Sequence, residues 1–340
     1  MKRLVYIWFA SVAVGNAQPR YEILNLESLG APANDGVFAR GVNNHGQVMG
    51  SYWTPGQTEL RLFSYSFGTG MVDIGPSPAR YMYGKGINDL GQLIGFGFAG
   101  PIANGYRYTP GVGYELLTGP GDDSEPQGIN NHGQVTGWTF INGQERLFRY
   151  TDGVGLEDLG LEMAGLAIND RGDITGITHG SVFLYQDGVG VTLLGQGEGR
   201  AINNIGVIAG NTSLSPVGGS AFIYKDGTMQ LLGNFGGSTE AWAMNNQNEI
   251  IGQARIEDQL AAFLWSEQNG IEDLNALIAP GSGWFLTGAF SINDRGQIVG
   301  DGFYNGKYSA FLLQPIPEPS TWALLVLGAS TLVLLRRRRW

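Results

Sequence analysis

The stretch Gly41-Val42-Asn43-Asn44-His45-Gly46-Gln47-Val48-Met49-Gly50 recurs in related form six more times and constrains the fold more than any other feature of the chain. The later copies carry Ile87-Asn88-Asp89-Leu90-Gly91, Ile129-Asn130-Asn131-His132-Gly133, Ile168-Asn169-Asp170-Arg171-Gly172, Ile202-Asn203-Asn204-Ile205-Gly206, Met244-Asn245-Asn246-Gln247-Asn248 and Ile292-Asn293-Asp294-Arg295-Gly296. Their first asparagines, Asn43, Asn88, Asn130, Asn169, Asn203, Asn245 and Asn293, lie 34 to 48 residues apart. A period near 40 suits four short strands, the content of one propeller blade. Asn, Asp and Gly tolerate the left-handed backbone of a tight hairpin, so each copy reads as a turn between two strands.

Around that turn each unit divides into four strands. A first strand of small residues ends in Ile-Asn, as in Gly199 to Asn203; a second follows, as in Gln297 to Gly300. The third is aromatic, as in Ala262-Phe263-Leu264-Trp265, and the fourth ends near Leu-Gly, as in Leu156 to Gly160. Small residues two apart in the first strand (Ala39 and Gly41, Gly84 and Gly86, Gly165 and Ala167, Gly199 and Ala201) read as one face of an innermost strand near the ring axis. The seventh unit lacks a fourth strand, whereas a spare one lies at Tyr21 to Gly30. The expectation is an all-β, seven-bladed propeller over residues 18–314, closed by its N-terminal strand, with no exposed edge.

Composition agrees. Glycine is abundant, at 55 of 340 residues, without a three-residue period and amid 43% hydrophobic residues, which fits many tight turns rather than collagen or disorder. Cysteine is absent, which removes disulfides and thiolate metal sites. The formal charge is -10, and outside residues 1–17 and 318–340 there are 14 basic against 29 acidic residues. That balance argues against nucleic acid as a partner.

The two ends read as addresses. Lys2 and Arg3, an apolar run from Leu4 to Val14, and small residues at Gly15 and Ala17 describe a signal peptide over 1–17, cut by signal peptidase before Gln18. At the other end, residues 315–340 hold Pro317-Glu318-Pro319, then an apolar run to Leu335, then Arg336, Arg337, Arg338 and Arg339. This tail resembles the PEP-CTERM sorting signal processed by exosortases in Gram-negative bacteria. The four arginines would stay cytoplasmic while the 14 residues from Trp322 to Leu335 sit as a hydrophobic helix in the inner membrane, a short span that suits transient anchorage. The resemblance implies export, an exosortase partner, a final place at the cell surface or outside the cell, and association with exopolysaccharide.

The repeat itself resembles the extracellular HAF repeat family. The matching residues are Ala262-Phe263-Leu264-Trp265, Ala221-Phe222-Ile223-Tyr224, Asp158-Leu159-Gly160 and the seven Ile-Asn-type turns. Asn248, where Gly is usual, and the 34-residue unit between Asn169 and Asn203 depart from the pattern. The resemblance carries no activity and no catalytic residues.

Chemistry-bearing residues are few. His45 and His132 occupy the variable turn position, and His179 sits in a short loop with no evident partner. Asn169 to Asp173 has a calcium-like look, but the Asn203 copy has no carboxylate, so turn chemistry explains the motif. No metal or cofactor is expected, and no catalytic group stands out. The loops entering the first strands and those between second and third strands share one face. They carry Arg40, Tyr81, Tyr83, Asp122, Asp123, Glu125, Glu240, Trp242, Trp284 and Phe285. Aromatics beside carboxylates suit sugar rings. The expected function, carried by the exopolysaccharide association that the sorting-tail resemblance implies, is non-enzymatic binding of extracellular polysaccharide, or a matrix role in a biofilm. A glycoside hydrolase or lyase using Asp122, Asp123 or Glu240, and a purely structural surface protein, are the alternatives.

Overall fold

Each repeat folds into one antiparallel sheet of four strands, and seven such sheets form the ring. A computed structural model of the chain describes residues 19–26, 36–54, 56, 58–117, 123–213 and 218–317. The expected signal peptide, Glu318, Pro319, the apolar tail and Arg336 to Arg339 lie outside the described residues, as does Asp122. Among the described residues no helix is long and apolar enough to cross a membrane.

Blade one sets the pattern, with an inner strand Val37–Val42, a second Val48–Trp53, a third Leu60–Ser66 and an outer Gly70–Asp73. The other inner strands are Met82–Ile87, Ser124–Ile129, Met163–Ile168, Glu198–Ile202, Thr239–Met244 and Trp284–Ile292. The compressed unit is a complete blade whose connections have shrunk. Its outer strand, Gly190–Gln196, is separated from the next inner strand, Glu198–Ile202, by Gly197 alone.

The paired small residues of the inner strand have a different cause from the one expected. In blade one, Ala39 pairs with Gly50 and Gly41 with Met49, so Arg40 is an extra residue in a β-bulge. A register shift falls at the same place in all seven blades, and the inserted residues are Arg40, Lys85, Gln127, Leu166, Arg200, Trp242 and Phe290. The small residues thus flank a bulge rather than mark one face.

That bulge dictates the glycine of the second strand. It pushes an inner-strand carbonyl towards the neighbour, so a Cβ at Gly50, Gly95, Gly137, Gly176, Gly210, Gly252 or Gly300 would lie 1.9 to 2.4 Å from a carbonyl oxygen. The room left by the missing side chain is taken from the third strand. Opposite these glycines stand Phe63, Tyr106, Phe148, Phe183, Phe222, Phe263 and Phe311. The six phenylalanines are 0% exposed, each contributing about 1.5–3 kcal/mol of apolar burial. Packing runs between blades: Val42, Val48 and Phe63 of blade one share a cluster with Val299 and Leu312 of blade seven.

The ring closes as the strand count requires. Tyr21–Asn25 is the outer strand of the last blade, pairing with Lys307–Pro315 in a register that sets Ile23 opposite Leu313. The ring extends slightly past residue 314, since the Ile316 N–H donates to the Arg20 carbonyl at 2.8 Å. Tyr21 and Leu26 are buried, which adds about 1.5–3 kcal/mol each. A chain lacking residues 19–26 is therefore expected to expose the Leu312–Leu313 edge and self-associate. Size-exclusion chromatography checks this, and a stable monomer at full-length melting temperature would contradict the closure.

The Asn turns do more than reverse the chain. The Oδ1 of Asn130 accepts from the N–H groups of His132 and Gln134, while its Nδ2 donates to the Asn169 carbonyl of the next blade at 2.9 Å. The same inter-blade bond is made by Asn43, Asn88, Asn169, Asn245 and Asn293. Asn203 differs because Val207 replaces the Gln, Asp or Glu found at that place in the other turns. Its Nδ2 instead reaches the Asn248 Oδ1 at 2.8 Å. The Val207 and Asn248 departures thus answer each other, and Asn248 takes the left-handed turn position (φ 63°) that Asn tolerates.

A second belt lies beside the first. The backbone N–H of each residue after the first Asn donates to the side-chain oxygen of its counterpart in the next blade. The series runs Asn44, Asp89, Asn131, Asp170, Asn204, Asn246, Asp294 and back to Asn44, with every bond between 2.8 and 2.9 Å. The third turn position faces solvent in all seven copies, His45 and His132 included.

Candidate functional site

At the end of the ring axis away from the belts, the bulges bring their inserted residues together. Arg40, Lys85, Gln127, Leu166, Arg200, Trp242 and Phe290, with Tyr83, Gly84 and Phe96, line a cavity of about 380 Å³. A bulge re-aims its inserted side chain, and the same bulge in every blade sends one residue per blade to the axis. In a body with a two-to-one excess of acid, three of these seven residues are basic.

The basic groups are held over aromatic faces. The Arg40 guanidinium carbon lies 4.1 Å from the centre of the Phe290 ring, Arg200 lies 5.5 Å from Trp242, and the Lys85 ammonium lies 5.2 Å from Phe96. Carboxylates stand behind them: Glu198 is 2.7 Å from Arg200, Asp301 is 3.5 Å from Arg40 and Glu125 is 3.7 Å from Lys85. None of the three acids lines the cavity. Burial pulls the Lys85 ammonium below its ordinary pKa, partly offset by Glu125, while the charges of Arg200 and Arg40 add to the lowering. Trp242 packs edge-on to Phe290, and its indole N–H is buried without a hydrogen-bond partner.

Asp301 anchors one wall. Burial raises its carboxyl above the ordinary 3.8, and hydrogen bonding from Tyr308 and the charge of Arg40 only partly oppose this. The folded chain holds that proton more tightly than the unfolded chain. The group therefore adds stability as pH falls through its raised value, and its ionisation costs stability at neutral pH. Wild type should gain in melting temperature relative to Asp301→Asn between about pH 7 and pH 4. Parallel melting-temperature profiles would contradict this.

A second feature of the same face lies between blades six and seven. Gln253, Arg255, Asp258, Gln259 and Leu260 face Trp284, Phe285, Thr287, Phe303 and Tyr308 across an open groove of about 990 Å³. Leu260, Phe285, Phe303 and Tyr308 are 36–42% exposed. Trp284 is more firmly held, packing on Tyr304 and Phe311.

The expected candidates divide accordingly. Tyr83 and Trp242 join Arg40 at the axial cavity, and Trp284 and Phe285 line the groove. Tyr81 belongs to neither, since it packs on Trp53 beneath Arg80 at the junction of blades one and two. The Asp123 carboxylate accepts from the Ala103 N–H at 3.2 Å, which gives it a structural task. Glu240 is exposed in blade six, three blades from Asp123. His179 does have partners, Glu162 at 2.5 Å and Thr178 at 3.0 Å, but the His179–Glu162 pair is exposed. No group of three His, Cys, Asp or Glu suited to a metal occurs among the described residues. Lys85, Gln127, Leu166, Arg200 and Phe290 were not expected at the site; their sequence signal is the residue enclosed between the two small or apolar ones.

No protein-family model matches the sequence, and no curated protein matches it. The chain is similar in structure to a streptogramin B lyase, with a TM-score of 0.57 and 12% identity over 87% of this chain and 98% of that one. It is similar to an inactive virginiamycin B lyase from Staphylococcus aureus bound to quinupristin, with a TM-score of 0.57 and 13% identity over 87% and 99% of the two chains. A puromycin-hydrolysing peptidase of Mycobacterium tuberculosis gives a TM-score of 0.56 and 12% identity over 78% of this chain and 48% of that one. At such identities the likeness is one of fold.

Proposed function

We propose that the chain is an exported, non-enzymatic binding protein of the bacterial surface that holds extracellular polysaccharide in the groove between blades six and seven. The observation that carries the reading is the exposed aromatic row of Phe285, Phe303 and Tyr308, edged by Gln253, Gln259 and Arg255. Sugar rings stack on aromatic faces while amides and guanidinium groups meet their hydroxyls, and an open groove admits a chain in passage. The basic ends of the sequence support export by signal peptidase and sorting by an exosortase, with passing residence in the inner membrane. Asp123 is engaged by backbone and Glu240 lies three blades away, which speaks for binding over hydrolysis.

Affinity electrophoresis through gels containing the host's own extracellular polysaccharide tests the binding half. Retardation that disappears in a Phe285→Ser, Phe303→Ser variant is the expected result, and unretarded wild type would overturn it. Mass spectrometry of the mature protein tests the export half, with an N-terminus at Gln18 expected.

A further inference from the structure

The axial cavity is separate from the groove, and its chemistry is different. The groove presents aromatics with a mixed polar edge, whereas the cavity presents three cations over aromatic faces. We propose that the axial cavity is a second binding site, for a single carboxylate group carried on a sugar ring, that is, for a uronate. The carboxylate would sit among Arg40, Lys85 and Arg200, and the ring against Trp242 and Phe290.

Position, charge and volume carry this. The three cations come from blades one, two and five, far apart in sequence, and are brought together only because the bulge repeats. They are close enough for Arg200 and Arg40 to act on the Lys85 charge. Like charges at an axis cost free energy unless counter-charges stand close, and of the three carboxylates only Glu198 does, at 2.7 Å from Arg200; Glu125 stands 3.7 Å from Lys85 and Asp301 3.5 Å from Arg40, both beyond good charge-assisted hydrogen-bond distance. Lys85 also donates to the Gln127 Oε1 at 3.3 Å and Arg40 to the Ala39 carbonyl at 2.9 Å, which still leaves both groups with N–H donors for a further acceptor. With one carboxylate in close contact and two held off, the remaining demand fits one negative charge better than a multiply charged phosphate. The volume of about 380 Å³ is at the small end for ligand pockets and suits one ring rather than a chain. Trp242, Phe290 and Leu166 supply apolar wall for its body.

Calorimetry on the full chain in mild detergent tests the site, with D-glucuronate as probe and D-glucose and acetate as controls. Saturable binding of glucuronate, at least about tenfold tighter than either control, is expected. Lys85→Met and Arg200→Met should each weaken it about tenfold or more, whereas Phe285→Ser in the groove should leave it unchanged. In the unmodified protein, the indole N–H resonance of Trp242, assigned by Trp242→Phe, should move with glucuronate while that of Trp265 does not. A uronate-terminated oligosaccharide run beside the monosaccharide separates a chain end from a free sugar acid as the source. Glucose binding as tightly as glucuronate, affinity indifferent to Lys85→Met, or a Trp242 resonance that stays still would each overturn the proposal. Groove and cavity fail separately: loss of polysaccharide binding with glucuronate binding intact removes the surface-binding reading alone.

Discussion

Gly252→Ala is expected to leave little folded protein, with a loss of more than about 4 kcal/mol. A Cβ there would stand 1.9 Å from the Glu240 carbonyl oxygen and 2.9 Å from the Phe263 ring. The first obstacle is backbone, fixed by the bulge between Ala241 and Ala243, so no rotamer change relieves it. To reach ordinary contact distance the inner strand must move by roughly 1 Å or more, into a packed axis that resists compression. Gly219→Ala serves as the control, since a Cβ there meets nothing within 4 Å and its φ is not in the left-handed region. Chemical denaturation of both variants checks the contrast. Equal stability would mean that the bulge is soft.

Asn130→Ala should cost about 3–5 kcal/mol, the sum of two stranded N–H donors and one stranded carbonyl. The lost bonds are those from His132 and Gln134 to Oδ1, and from Nδ2 to the Asn169 carbonyl, around a side chain whose residue is 3% exposed. Asn130→Asp should be nearly as harmful at neutral pH. It keeps the acceptor but turns a carboxylate oxygen towards the Asn169 carbonyl and the Gln134 Oε1 that the amide now serves. His132→Ser at the exposed neighbouring position should stay within about 0.5 kcal/mol. Urea titration of the three variants gives the order directly.

Blade number, strand order and the use of Tyr21–Asn25 to seal the last blade follow from the period of the repeat and the strand missing at its end. Periodicity survives in sequence because each blade solves the same packing problem. The bulge was not legible: a two-residue spacing of small side chains looks the same whether it marks one strand face or brackets an inserted residue. Only pairing distinguishes them, as when Ala39 meets Gly50 and Gly41 meets Met49. The axial cavity was hidden for the same reason, since Lys85 and Arg200 are unremarkable charges until the bulges aim them at one axis. The second-position residues did carry a signal. That place admits only Asn or Asp in seven copies, while the next admits His, Leu, Arg, Ile or Gln. A local turn does not demand such strictness; a belt of inter-blade bonds does.

The repeated unit is thus one solution used seven times: bulge, facing glycine, filling aromatic ring (Tyr106 in blade two, phenylalanine in the other six) and turn asparagine. The inserted residue at the bulge, like the third turn position, varies freely without disturbing that unit, from Arg40 to Leu166 to Trp242. A scaffold of this kind keeps its frame constant and places its chemical variety at the axis and in the loops of one face.

Isothermal calorimetry of the full chain with the host's extracellular polysaccharide, with the sugar sized by chromatography afterwards, separates binding from catalysis. Saturable heat that the Phe285→Ser, Phe303→Ser variant loses is expected, with polysaccharide of unchanged length. Absence of heat, or sugar shortened on incubation, would contradict a non-enzymatic binding protein.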